Sequence, residues 1–468
     1  MEAPITLIKG DKVSVETDYR DALPVNMYAV EKTILGANGY MLCYPGLTSF
    51  ATGLGIDRGS IYNERLEDHY RVSGTDFISV SSVGAVVDLG NITGTLQAAM
   101  PYSFLTQAII ADGKMWLYTV LGGLVETIDA DLGDPIDGVW IDGYYFLTDG
   151  EYIYHTDLTD ESAIDPLKFA TAEFMPDKSL GVGKTQDNKA VVFGRYSIEY
   201  FSNTANANFA FTRLVTRAQN IGIVATHAKC QYVEKWFITG GPKQDAVGVY
   251  MLTSGSYTKI STREIDKVLA GYTEPELADM RMEVRTENDI TFVLVHLPDY
   301  TLCFNANTGT SLGKTAAWSI LKTDVVGNNT YRAINGVLDA RNSTWLYGDK
   351  RSTYIGKLDN TVFTHYDAMV EWILYSPFLG LEGFSIDQIE VETIPGHTTT
   401  FDGTVAISLT YDGFTYGTEA WIDYGDPLEY DKRFIVRRLG YVNDWVGIKL
   451  RGATKSRMAF GLLRLTYG

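Results

Sequence analysis

The chain is poor in the residues that catalysis and metal binding draw on most. Three cysteines, Cys43, Cys230 and Cys303, are odd in number and far apart in 468 residues, which excludes a disulfide framework or a paired metal site. They are expected as buried free thiols in a reducing cytoplasm. The six histidines, at 69, 155, 227, 296, 365 and 397, never fall four residues apart as they would on a zinc-binding helix, so each is expected to be an ordinary core or surface residue. No apolar run approaches the roughly 18 residues that cross a bilayer. Ile290 to Leu297 is typical of the strongest, and no membrane insertion by this chain is expected. The opening MEAPITLIKG has no basic segment followed by an apolar core, so it is not expected to be a secretion signal. Positive charge is also short: 39 Lys and Arg stand against 58 Asp and Glu, a net −19. A free nucleic-acid binder needs a basic footprint to displace counterions from phosphates, and this chain lacks one overall.

Aromatics and glycine are plentiful: 30 Tyr, 20 Phe and 8 Trp accompany 45 Gly. Aromatics favour half-buried pleated surfaces and glycine supplies the positive φ of tight hairpins, so the mixture predicts many short strands. Asp-Gly pairs begin at 112, 137, 142, 149, 402 and 412, and Asn-Gly pairs at 38 and 335, all candidate hairpin turns. An aromatic strand, a turn and a second strand recur over 69–88, 114–129, 143–157, 190–202, 235–252, 290–305 and 343–358. The spacing approaches the roughly 40–50 residues of a four-stranded propeller blade. The fold expected is therefore all-β: a propeller of six or seven blades over 40–369, preceded by an N-terminal extension or arm over 1–39. One helical insertion is expected over 262–285, where Ile265, Val268 and Leu269 share a face and Thr273 with Glu276 has capping-box spacing. Longer alternating strands from 370 to 468 predict a C-terminal antiparallel sandwich.

Motif by motif, chemistry is not supported. Gly181-Val182-Gly183-Lys184-Thr185 and the segment Gly309 to Thr315 have one and three residues where a phosphate-cradling loop needs four. An EF-hand opening at Asp129 would need Gly at 134 and Glu at 140, where the chain has Asp134 and Trp140. Propellers host sialidases and other glycosidases, but those sites need paired carboxylates or a tyrosine with clustered arginines. Here one turn, Tyr411 to Tyr416, resembles an Asp-box, and it lies in the sandwich. No enzyme, cofactor or metal is expected.

Charge is unevenly spread. Glu126 to Asp177 holds fourteen acidic residues against the single base Lys168, and Glu429 to the end holds nine basic against three acidic. These are either solvated strand faces or poles that meet different partners in an assembly.

Segments along the whole chain resemble the tail hub, or nozzle, proteins of short-tailed bacteriophages, also called packaged-DNA stabilisation proteins. They are Asp21-Ala22-Leu23-Pro24-Val25-Asn26-Met27, Gly39-Tyr40, Tyr44-Pro45-Gly46-Leu47-Thr48, Ser197 to Ser202, and Glu264 to Lys267 leading to Tyr272-Thr273. Further along come His296-Leu297-Pro298, Trp318 to Thr323, Tyr430-Asp431-Lys432-Arg433, and Gly447 to Arg451 with Thr454-Lys455-Ser456. Their order and spacing carry the resemblance.

The resemblance implies a virion tail protein, made in the host cytoplasm, several copies of which (a hexamer in such tails) ring a channel below the head-to-tail adaptor. A needle plugs the exit, tailspikes or fibres attach at the side, and packaged DNA passes without sequence-specific binding. Asp129, Asp131, Asp134 and Asp137 are then expected to face the channel, where acidity repels phosphate. Leu23, Pro24, Val25, Asn26 and Met27 are expected at an assembly interface, as an added strand or arm, though a plain intradomain strand stays open. Asp431, Lys432, Arg433, Arg437 and Arg438 are expected at another, as a positive edge suited to carboxylates or as solvated strand charges. The other class left open is a glycan-binding or glycan-cleaving propeller.

Overall fold

The computed structural model describes residues 1–8, 22–32, 39–253, 255–327, 329–393, 396–401 and 403–468. Asp21, Asn38 and Asp402, which entered the motifs above, lie outside the described residues. Among those described, seven antiparallel sheets follow one another along the chain as blades 1 to 7. Their first strands are Asp57–Asn63, a short segment around Ala99 that bridges Ile110, Asp137–Ile141, Ser179–Lys184, Gly222–Ile223 with Lys229–Tyr232, Arg281–Glu287 and Ala333–Asp339. First strands of neighbouring blades touch one another around the ring, which sets them at the axis and the fourth strands at the rim.

The predicted aromatic hairpins form the middle of their blades, except that over 114–129, which forms the third and outer strands of blade 2. Asp112-Gly113 and Asp142-Gly143 adopt positive φ at both residues, the left-handed pair that a two-residue hairpin needs. Two other expected turns are corrected. Asp137-Gly138 lies inside a strand, and Asn335-Gly336 sits where the register slips between Ile334 and Val337, so this pair makes a bulge. The cores lie between blades: Tyr70, Phe77, Ile109 and Trp116 join blades 1 and 2, and Phe146, Val192, Phe201 and Phe211 join blades 3 and 4.

The helical insertion is shorter than expected. Helices cover Arg263–Ala270 and Glu274–Leu277, with the capping box of Thr273 and Glu276 formed and the Thr273 amide donating to Glu276 at 2.8 Å. From Arg281 the chain is a strand paired with Ile290–His296, because that partner offers a full ladder of backbone bonds.

Blade 7 takes its fourth strand, Gly46–Thr52, from near the N-terminus, paired antiparallel with Tyr354–Asp359. The ring therefore closes by pairing strands about three hundred residues apart. Gly46 is needed there: a Cβ would come 2.3 Å from the Thr364 carbonyl oxygen.

The C-terminal strands form two facing sheets. One runs, in order, Met27–Val30, Tyr40–Cys43, Ala459–Tyr467, Phe384–Thr393 and Phe434–Val442, with Glu2–Thr6 also pairing Ala459–Tyr467. The other runs Trp372–Tyr375, Trp445–Gly452, Thr404–Thr410 and Ala420–Asp423. Between them lie Ile389, Val391, Ile407, Ile448, Leu450, Phe460 and Leu463. The described parts of the expected N-terminal arm are thus strands of the sandwich. Their buried Ile5 and Met27 complete its core together with Met41 of Tyr40–Cys43, a strand expected in the propeller, and extending the arm would expose that core.

Residues 22–26 bind the two units together. Val25 exchanges backbone bonds with Ile373 of the sandwich at 2.9 and 3.1 Å, while Ile320 of blade 6 donates to Pro24 and accepts from Asn26, both at 2.8 Å. Asn26 holds φ +50° and sends Nδ2 to the carbonyls of Lys322 (2.9 Å) and Glu371 (2.7 Å), one on each side of the junction. Its Oδ1 accepts the Lys322 amide at 2.9 Å. The Glu371 carboxylate, itself buried, pairs with Lys322 at 2.9 Å and Arg451 at 3.2 Å. Asn26→Ala removes the side-chain partner of three backbone groups at the junction, one buried and two partly buried. It is expected to cost about 2–3 kcal/mol and to split one calorimetric unfolding transition into two as the propeller and sandwich uncouple.

Candidate functional site

The propeller axis, the usual place for a ligand in such a ring, is filled. Asp57 accepts Arg71 Nε and Asn335 Nδ2, each at 2.6 Å, and Glu283 accepts the amides of Asn335 and Gly336. Gln97 Oε1, from the entry to blade 2, takes Arg281 Nη1 of blade 6 at 3.4 Å and Asn335 Nδ2 of blade 7 at 3.3 Å. Asp137 of blade 3 holds Lys229 of blade 5 at 2.6 Å across the face of blade 4. Burial alone would raise the Glu283 carboxyl, but His296, Arg281 and the Gly336 amide hold it down to about 2. Side chains from blades 2 and 6, on opposite sides of the ring, thus meet at hydrogen-bond distance. Among the described residues no passage for a nucleic-acid duplex runs through one propeller.

Asp137 is therefore not a channel-facing acid. It is buried and also accepts the Val182 amide at 2.9 Å. A carboxylate so enclosed and paired exerts little repulsion on a distant phosphate. Asp129 shapes a turn, accepting the amides of Asp131 at 2.9 Å and Ile164 at 3.1 Å, with Asp131 and Asp134 exposed close by.

The motif Leu23 to Met27 is likewise corrected. Leu23, Val25, Asn26 and Met27 are buried inside this chain, where they form the junction and its flanking cores, so they offer no face to a partner.

The basic C-terminal residues do reach the surface. Arg433 grips Glu390 with two bonds of 2.8 and 2.9 Å, and Lys432 pairs with Asp423 at 3.1 Å. Asp431 is exposed beside them. Arg437 donates to Gln388 Oε1 at 3.3 Å, and Arg438 stands exposed at φ +60° in a bulge. What the sequence did not disclose is Arg285, 1% exposed, its guanidinium 4.8 Å from the Tyr44 ring and 4.7 Å from that of Phe292. The alternation of Arg281–Glu287, which places it on the inner face, was the available signal.

Among the described residues no three His, Cys, Asp or Glu side chains are placed to hold a metal. Burial pushes the thiols of Cys43 and Cys303 up to about 12, far from nucleophilic at neutral pH. The two glycine-rich segments fall in a strand at Ser179–Lys184 and in a six-residue helix at Ala306–Ser311, neither of which is a phosphate loop.

A closed ring of blades with its axis braced by charge pairs, carrying a sandwich on its rim, defines a structural β-scaffold. The chain belongs to the bacteriophage P22 Gp10 family. A model described as Bacteriophage P22 Gp10, beta-propeller matches residues 1–363, and one described as Bacteriophage P22 Gp10, beta-sandwich matches 371–468. The tail hub protein gp10 of Salmonella phage P22 is 30% identical over 471 residues, covering 97% of this chain and 96% of that one. Among solved structures, the extracellular domain of the putative one component system BT4673 from B. thetaiotaomicron aligns with TM-score 0.43 and 10% identity, over 84% of this chain and 47% of that one. The N-terminal domain of Nup159 aligns with TM-score 0.42 and 8% identity, over 72% and 98%.

Acid sensitivity follows from the buried histidines. His365, packed at the junction with Nδ1 3.0 Å from Thr323 Oγ1, is driven down to about 3 by burial and then by Arg332. The unfolded chain takes up this proton near pH 6.5 and the folded one does not, so stability falls as pH drops below that value. At pH 5 the loss from this residue is about 2 kcal/mol, read as a lower denaturation midpoint. His365→Gln should flatten the dependence by that amount.

Proposed function

We propose that this chain is a tail hub of a short-tailed bacteriophage, acting mechanically and without covalent chemistry. The observation that carries the reading is its relatedness, over 97% of its length, to the P22 tail hub protein. In this reading several copies, a hexamer in the simplest case, form a ring below the head-to-tail adaptor. The ring narrows the path of pressurised DNA, is plugged by a needle and carries tailspikes or fibres at its side. Two physical features support it. The braced axis leaves the duplex no route through a single propeller, so a channel has to run between copies. The surplus of acid over base, net −19, lets a phosphate backbone slide past without sticking. The same acidity disfavours a role in gripping DNA.

Antibody-gold electron microscopy on the phage particles tests the placement. Label just below the head vertex is the expected result. Particles without label, with the chain free in the lysate or on cells, would sink the reading and favour a glycan-active propeller. Particles assembled without the chain are expected to package DNA and then lose it, which nuclease protection measures. Full protection in its absence would remove DNA retention from its role.

A further inference from the structure

The two ends of the molecule are built differently. The sandwich sits on blade 6 through residues 22–26, and blades 2 and 3 are three steps from blade 6 in either direction around the ring. They form the opposite end. Next to the sandwich the rim is covered: the outer strand of blade 6 bonds to Pro24 and Asn26, and that of blade 7 to Thr364 and Tyr366, while the outer strands of blades 4 and 5, Phe211–Arg213 and Ser256–Lys259, are sheet edges that show little large apolar surface. On blades 1 to 3 the outer strands Val86–Asn91, Gly123–Glu126 and Ile164–Ala170 are sheet edges showing Val87, Val125, Leu167 and Phe169 to solvent. Leu121 and Ile128 beside them are almost wholly exposed. Unpaired edges with exposed apolar side chains are ready-made association sites.

Blade 3 adds a notch of about 230 Å³ at this end, lined by Asp131, Asp149, Asp165, Tyr152, Tyr154 and Phe169. The rings of Tyr152 and Phe169 meet edge to face at 5.2 Å. Carboxylates and aromatic faces in one notch suit a guanidinium, which forks onto the first and stacks on the second.

At the other end, the strand order of the first sandwich sheet starts with Met27–Val30 against blade 6 and finishes with Phe434–Val442, the edge farthest from the propeller. There the register slips opposite Ile386 and Gln388, and the bulge turns Arg437 and Arg438 outward beside the exposed Tyr411 and Tyr441. Arginine and tyrosine are the residues most enriched where interfaces hold tightest.

We propose that these two ends bind each other in neighbouring copies, with Arg438 of one copy entering the blade 3 notch of the next and Arg437 on its acidic rim. Such a head-to-tail contact repeats, closing into a ring when the rotation allows. Only that closure rests on the hub reading. The role of Asp131 then differs from the channel-facing one: a wall past which DNA slides has no use for exposed leucine and phenylalanine, whereas an interface buries them.

Charge-swapped full-length chains test the pairing by native mass spectrometry and sedimentation velocity. Arg437→Glu with Arg438→Glu makes both ends acidic, and Asp131→Lys with Asp165→Lys turns the notch basic. Each variant alone is expected to associate at least tenfold more weakly than the unaltered chain. Mixed one to one, they should recover association in alternating order, a result that also shows both are folded. The milder Arg438→Ala and Asp131→Asn should each weaken association less and retain the unaltered melting temperature. The pairing is overturned if the unaltered chain stays monomeric at its highest soluble concentration, if either swap associates as it does, or if the mixture fails to recover. The hub reading fails on a separate observation, absence of the chain from the virion tail.

Discussion

The exchange of backbone bonds at Val25 and Asn26 is the contact on which the architecture depends. It is a short bracket of two residues, yet it fastens blade 6 to the sandwich from both sides, with Asn26 holding one carbonyl of each unit. Its left-handed backbone suits asparagine, which tolerates positive φ better than most residues. Because the side chain donates twice and accepts once, it satisfies the polar groups it meets at a largely buried junction. Without the bracket, the strands that flank it would have no fixed direction, since Met27–Val30 runs into the sandwich and Gly46–Thr52 returns to close the ring.

Charge is used in two ways. At the axis it is internal and paired: Asp57 with Arg71, Asp137 with Lys229, Glu283 with backbone amides. Such groups cost desolvation and repay it only when every partner is in place, so they fix the mutual register of blades. At the surface it is segregated, acid from the end of blade 2 through blade 3 and base on the far edge of the sandwich.

Much of this was legible in the sequence where the signal is local. Hairpins such as Lys114–Thr119 and Tyr144–Thr148 announce themselves by aromatic alternation beside an Asp-Gly pair, and the strands Phe384–Thr393 and Ala459–Tyr467 by their period of two. The same local signal misled at Asp137 and Asn335, where the dipeptide lies within a strand because its neighbours already had a partner to pair with. Long-range pairing was not legible at all. Nothing in Glu2–Thr6 says that it will lie against Leu462 to Thr466, and nothing in Leu23 to Met27 distinguishes a bracket within the chain from a strand offered to another. The arginines of the sandwich edge were legible as a cluster, but their separation into salt-bridged Arg433 and outward-turned Arg438 needed the bulge.

The pairing of the first strand with the last has a consequence for how the protein comes into being. A ribosome releases Glu2–Thr6 long before Ala459–Tyr467 exists, and the sandwich core cannot close until its final strand arrives. Blades 1 to 6 can pair and pack as they emerge, but Glu2–Thr6 waits without its partner until Ala459–Tyr467 is made. Contacts so distant in sequence make the last step slow and vulnerable to aggregation. Completion of the sandwich therefore acts as a check on chain integrity: a product terminated before Ala459 lacks the strand with which both Glu2–Thr6 and Phe384–Thr393 pair, and cannot bury Ile5 and Met41.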